Sequence, residues 1–269
     1  MTDTAAAGSP PLAVLRREGA VAWLTLSRPR KRNAINEEML DTLLGLLAQV
    51  RRARDLGVVV LAAEGPVFSA GIDFNSELAM DKPGATAFDG LDGAQRQHEL
   101  ISAVFGLPQV TIAAIQGDAV GGGGFGLAMA CDLRYAVESA RFWMVPTSLH
   151  EVQDFGLSWL LQRYAGDART LEWVLTGEVI DTGTALRHGL LQRVVPDAEA
   201  LTALVSAKCA AITSTTPDVV KLQKLSLRHG RSASLSSQLD VEALASALCF
   251  RTDEFAQAMA AARGRLRKS

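Results

Sequence analysis

The sequence predicts a mixed α/β protein with a helical C-terminal region. Three observations carry that prediction. Strand-like apolar runs alternate with helical patterns through the first half of the 269-residue chain. A run of four glycines, Gly121 to Gly124, joins one such strand to one such helix. Strand signals then stop near residue 200, and only helical patterns follow.

The elements follow in order. Met1 to Pro11, rich in Ala, Gly, Ser and Pro, reads as a loose tail (residues 1–11) and lacks the basic start and apolar core of a signal peptide. Val21 to Ser27 is strand-like, and Arg28-Pro29 breaks it. Asn36 is a natural N-cap before Glu37 and Glu38. Leu40, Leu43, Leu44, Leu47 and Val50 recur at helical spacing, which predicts a helix over Glu37 to Arg54. Val58 to Ala62 suits a buried strand, and Phe68 to Ile72 a turn of small residues. Met80 to Gly93 reads as a mobile loop, with a helix from Ala94 to Phe105. Next come a strand at Val110 to Gln116, the glycine run, a helix to Ala130 and a strand at Asp132 to Ala136. The α/β core is expected over residues 12–200. Residues 201–269 are read as a helical region, with helices at Leu201 to Ile212, Pro217 to His229 and Ser234 to Arg267.

Composition narrows the function classes. Apolar residues make up 48% and charged residues 21%, which fits a globular chain with a sizeable core. The net charge of −2 gives no strong pull toward nucleic acid or an anionic membrane. No apolar run is as long as a membrane span. The three cysteines, Cys131, Cys209 and Cys249, are widely spaced and odd in number. That argues for a reducing, cytoplasmic setting and against a disulfide framework or zinc site. No metal ligand set is expected.

Two loops stand out together. Ser69 to Asp73 follows one strand and the glycine run follows another. Each offers backbone N–H groups at a turn, and two converging N–H groups can stabilise a carbonyl oxygen that gains negative charge. The glycines alone are equally compatible with a close helix–strand contact.

Several motifs now line up in order: Ser27-Arg-Pro-Arg-Lys-Arg-Asn-Ala-Ile-Asn36, Phe68-Ser-Ala-Gly-Ile-Asp73, Gln116-Gly-Asp-Ala-Val-Gly-Gly-Gly-Gly124 and Leu127-Ala-Met-Ala-Cys-Asp132. Ala140-Arg-Phe142, Leu175-Thr-Gly177 and Gly189-Leu190 complete the set. In this order and spacing the chain resembles the crotonase, or enoyl-CoA hydratase/isomerase, superfamily from Ala22 to the last helix. The resemblance implies a core of repeated ββα units wound as a spiral. It implies an acyl-CoA thioester substrate, an enolate-like intermediate, no cofactor beyond the CoA moiety, and a homotrimer or hexamer. It also implies an oxyanion hole made by the N–H of Ile72 and a glycine N–H. The run carries one glycine more than the family's usual three. Counting from Gly117 gives Gly122, and counting back from Leu127 gives Gly123, the preferred frame. The CoA pocket would fall on Ala70, Gly71, Ile72, Asp73 and Phe74, with Lys31, Arg32 and Ala34 as the other wall. Lys31 and Arg32 are equally compatible with solvated surface charge.

The acid/base groups depart from the family's hydratases. The two hydratase glutamates align with Gly126 and Pro146, neither of which can move a proton. Asp154 instead matches the acidic residue of several family isomerases and the aspartate nucleophile of a family dehalogenase. Asp154 is therefore the candidate acid/base, with Glu151 as a possible second proton carrier. A capping role for Asp154 at the helix that follows is the structural alternative. The favoured reaction is a double-bond shift. A hydratase with an unusual acid/base pair and a non-catalytic acyl-CoA binder are the alternatives.

Overall fold

The computed structural model describes residues 10–76, 78, 84–145 and 149–266. In chain order the elements begin with β1 (Ala13–Glu18), β2 (Val21–Leu26), a short 3₁₀ turn at Pro29–Lys31, α1 (Glu37–Arg52) and β3 (Val58–Ala63). Then come α2 (Ala87–Phe105), β4 (Val110–Ile115), β5 (Ala119–Val120), a π-helical segment at Gly122–Gly126 running into α3 (Leu127–Met129), β6 (Leu133–Val137) and β7 (Arg141–Trp143). The rest are α4 (Leu157–Ala165), α5 (Asp167–Thr176), β8 (Ile180–Asp181), α6 (Thr182–Arg187), β9 (Arg193–Val195), α7 (Ala198–Ile212), α8 (Pro217–His229), α9 (Leu235–Cys249) and α10 (Asp253–Leu266).

Six strands form one sheet in the order β1-β2-β3-β4-β6-β9. β1 and β2 are an antiparallel hairpin, and every later pairing in this sheet is parallel. The sequence reading placed no strand at β1, whose alternation is masked by Arg16 and Arg17, exposed on opposite faces. β5, β7 and β8 form a second, smaller sheet, parallel between β5 and β7 and antiparallel between β7 and β8. Val58, Val59, Val60, Ile112 and Ala113 are fully or almost fully buried, as expected for central parallel strands covered on both faces.

α1 starts where the sequence places it. The Asn36 side chain accepts from the Met39 N–H at 3.2 Å, and Met39, Leu40, Leu43, Leu47 and Val50 face the core. α2 corrects the sequence reading. It begins at Ala87 and not at Ala94, because Thr86 and Asp89 form a capping box. That box outweighs the unfavourable helix propensity of Gly90 and Gly93, so half of the expected mobile loop is helix. Met80 itself lies outside the described residues. α8 is pinned to the sheet by Asp132, which pairs with Lys224 at 2.5 Å and Arg228 at 2.9 Å. Burial alone would raise the Asp132 pKa, but the Lys224 ammonium beside it holds it below the usual value. The last helical stretch, expected as one helix, is two, interrupted at Phe250 to Thr252.

Candidate active site

The site is assembled where three segments meet, each shaped by its own backbone. The first is the loop after β3. Ile35 pairs with Ile72 in parallel: the Ile35 N–H donates to the Gly71 carbonyl at 2.8 Å, and the Asp73 N–H donates to the Ile35 carbonyl at 2.9 Å. In a parallel bridge of this kind the N–H of Ile72 itself points away from its partner strand. Among the described residues it donates to no protein acceptor. Arg28 clamps the loop, with its guanidinium on the Asp73 carboxylate at 2.7 Å and on the Ala34 carbonyl at 2.8 Å. The hydrogen bond from Arg28 holds the Asp73 pKa below the ordinary carboxylate value. The buried Asn33 side chain donates to the carbonyls of Glu64 and Val67 and locks the other wall to the same loop.

The second segment is the glycine run, in which backbone conformation demands Gly121 and a different neighbour presses on each of the other three. Gly121 has φ 59° and ψ −169°, a conformation essentially restricted to glycine. A Cβ on Gly122 would lie 1.9 Å from the Phe155 ring and 2.5 Å from Asp154 Oδ1. A Cβ on Gly123 would lie 3.0 Å from the Gly71 carbonyl carbon, and one on Gly124 would lie 2.3 Å from the Ser69 carbonyl oxygen. The Ile72 loop and the glycine loop therefore touch backbone to backbone. The helical segment opens at this contact, so its first N–H groups lack intrahelical acceptors and carry the positive end of the helix dipole.

The third segment is the turn before α4. Leu157 N–H donates to the Asp154 carbonyl at 3.0 Å, with Phe155 at φ 50° and Gly156 at φ 71° between them. Two positive φ values make this a primed turn. A bulky residue in that conformation carries about 1–2 kcal/mol of strain, so the surroundings must hold Phe155 in place. Its ring is fully buried. Asp154 is not the N-cap of α4, because Gly156 occupies that position and no side chain caps the helix. The structure thus rejects the capping alternative. Asp154 Oδ1 is buried without a hydrogen-bond partner and lies against Gly122. Burial first, and the charge of Glu151 second, push the Asp154 pKa up to about 6.

The structure brings Asp154, Gly122, Gly123 and the Gly71–Ile72 loop together. Glu151 stands exposed nearby and acts on Asp154 through its field. Ala34, Ala70, Gly71, Ile72 and Asp73 lie along the paired loop walls. Lys31, Arg32 and Phe74 are exposed at their ends. Gly126, aligned with the first hydratase glutamate, has no space for a side chain: a Cβ there would sit 2.9 Å from the Phe155 Cβ. Pro146 and Thr147, aligned with the second, lie outside the described residues. Phe155 packs against Gly122 and Gly126, whereas Trp159 is exposed and stacks under Arg163. The sequence reading gave no role to Arg28, and nothing local signalled its pairing with Asp73, 45 residues away.

Comparison with known proteins bears on the family and the fold. Residues 16–265 match the family described as enoyl-CoA hydratase/isomerase. A short-chain-enoyl-CoA hydratase of Clostridium acetobutylicum is 32% identical, over 92% of this chain and 93% of that protein. A 1,2-epoxyphenylacetyl-CoA isomerase of Escherichia coli K12 is 33% identical, over 84% and 85%. A Thermobifida fusca protein crystallised in complex with CoA superposes with a TM-score of 0.80 at 31% identity, covering 92% of this chain and 95% of that one. The chain has the crotonase fold, with two mixed sheets and a C-terminal helical region, and belongs to the enoyl-CoA hydratase/isomerase family. It is an acyl-CoA enzyme of that family. Its relatives include both hydratases and isomerases. Among the described residues no helix is long and apolar enough to cross a membrane, and no cluster of three or more His, Cys, Asp or Glu could hold a metal.

Proposed function

We propose that this protein shifts a double bond in an unsaturated acyl-CoA. One observation carries the reading: a buried carboxylate oxygen, Asp154 Oδ1, without a hydrogen-bond partner, faces the glycine loop. The thioester oxygen accepts hydrogen bonds from the N–H groups of Ile72 and Gly123. Ionised Asp154 takes a proton from a carbon of the acyl chain. The C–H electron pair moves into the enolate, whose charge the two N–H groups stabilise. The same carboxyl, now protonated, returns the proton to a different carbon, and the double bond has moved with no net gain or loss of atoms. A carboxyl near pKa 6 suits both halves, because it accepts and releases a proton near neutral pH with little driving force wasted.

Gly122 is the alternative oxyanion donor. Gly123 is preferred because it touches Gly71, the residue before Ile72, whereas Gly122 faces Asp154 and Phe155. The CoA moiety is assigned to the paired walls at Lys31 to Ala34 and Ala70 to Phe74. Asp73 serves there through its clamp on Arg28.

Hydration by the two-glutamate route is disfavoured, because Phe155 fills the space beside Gly126. A hydratase built on Asp154 and Glu151 is the second reading, favoured by the Glu151 charge acting on Asp154. The two separate in one assay: hydration of a 2-enoyl-CoA removes its conjugated absorbance, whereas migration of an isolated double bond into conjugation creates it. Asp154→Asn is expected to lower isomerisation about 10³-fold while acyl-CoA binding stays within about threefold. Full turnover in that variant would refute the role of Asp154. Tight CoA-ester binding with no turnover of any unsaturated substrate would indicate a non-catalytic binder.

A further inference from the structure

The turn that aims Asp154 is held by a side chain outside the proton-transfer scheme. Phe155 N–H is buried at the first central position of the turn and donates to His98 Nε2 at 3.2 Å. The His98 and Phe155 rings also meet edge to face, with centroids 5.6 Å apart. His98 is half-buried on α2, beside the core-facing Gln97 and Ile101. Ile101 itself reaches the turn, since a Cβ on Gly156 would lie 3.8 Å from Ile101 Cγ2. α2 is thus the wall against which the turn is pressed.

A nitrogen that accepts a hydrogen bond carries no proton of its own, so His98 must be neutral here, with its proton on Nδ1. Burial lowers the His98 pKa and favours that form. No other acceptor is available to Phe155 N–H among the described residues. Without His98 the buried donor would be orphaned, and the strained φ of 50° would lose its tether. Relaxing Phe155 to negative φ would rotate the preceding residue and carry the Asp154 carboxylate off Gly122.

We infer that His98 is a positioning residue: by accepting the Phe155 N–H it fixes the primed turn that points the Asp154 carboxylate at the glycine loop. It moves no proton in the reaction. The inference rests on the proposed role of Asp154 for its functional consequence, but its structural content can be measured without turnover.

The test compares His98→Phe, which keeps a ring and removes the acceptor, with His98→Gln, whose amide oxygen reaches about as far as Nε2. The Asp154 side-chain carboxyl is titrated by carbon-13 NMR in the full chain, with kcat and KM measured alongside. In the parent protein the carboxyl is expected to titrate near the raised value of about 6. In His98→Phe it is expected to fall toward the ordinary carboxylate range as the side chain swings toward solvent. In His98→Gln it stays raised. kcat should drop at least about tenfold in His98→Phe with KM within about twofold, and return to within about threefold of the parent in His98→Gln. His98→Leu substitutes if His98→Phe does not fold. An unchanged Asp154 titration in the acceptor-free variant would overturn the inference. So would a His98→Gln variant as impaired as His98→Phe, which would make the imidazole itself the requirement. If the titrations behave as expected while Asp154→Asn stays fully active, the positioning role stands and the proposed chemistry falls.

Discussion

The glycine loop and the last two helices are built on opposite terms. From Gly121 to Gly126 every residue is buried, and four of the five glycines have their missing Cβ positions pressed by a named neighbour within 3.1 Å. In α9 the leucines Leu235, Leu239, Leu244 and Leu248 are 74%, 53%, 69% and 61% exposed, and no residue of that helix is buried. The first region is packed by named contacts within the chain. The second keeps a helical pattern in which Val241, Ala245 and Cys249 are partly covered while the four leucines stay exposed among the described residues. The proposed oxyanion site, which would need backbone N–H groups held to fractions of an ångström, falls where the fold over-determines the backbone. A surface that exposes this much leucine is one a monomer does not explain. The resemblance to the crotonase superfamily implies trimers or hexamers, and α9 is the face we propose for that assembly.

Three perturbations sharpen the contrast, beginning with the largest. Gly122→Ala puts a methyl into the Phe155 ring and beside Asp154 Oδ1. It is expected to lower turnover by more than about 100-fold and to destabilise the fold by about 1–3 kcal/mol, read by steady-state kinetics and thermal unfolding. A methyl tolerated there with full activity would mean that the turn yields easily and the region is not over-determined.

A smaller effect follows from the raised Asp154 pKa. kcat/KM should climb through an ionisation near 6 and level above it. The folded chain holds this proton more tightly than the unfolded chain, so its contribution to stability is complete at low pH and is lost as pH rises through about 4 to 6. Asp154→Asn should therefore raise stability by about 3 kcal/mol at about pH 8 and by well under about 1 kcal/mol near about pH 4. Equal gains at both pH values would show that the carboxyl is not destabilised by burial.

The smallest effect on the site should come from the tail. Leu239→Glu combined with Leu248→Glu is expected to shift sedimentation toward smaller species while the circular dichroism of the chain persists. If the mass distribution does not move, α9 is not the assembly face.

Much of the fold was legible because its signals are local. Asn36 announces the start of α1, the apolar runs announce β2, β3 and β4, and the loss of strand pattern announces the helical region. β1 was not legible, because its exposed arginines break the alternation and its pairing with β2 depends on the hairpin at Gly19. The start of α2 was misjudged, because two glycines suggested a loop while a three-residue cap decided for helix. In the site, Asp154 was legible only by position relative to a family motif. His98 was visible as a residue, but its hydrogen bond joins positions 57 apart along the chain.

The sequence by itself determined which groups are available: a run of glycines, a second small-residue loop, one aspartate, and Gly126 and Pro146 at the positions the resemblance gives to the hydratase glutamates. Backbone freedom and side-chain chemistry are properties of single residues, so they can be read one at a time. Only the tertiary structure decided what those groups face. It pressed Gly123 on Gly71, put Phe155 where a glutamate on Gly126 would have stood, and left one oxygen of Asp154 buried without a partner. Those facts are distances between segments far apart along the chain, set by how the sheets and helices pack.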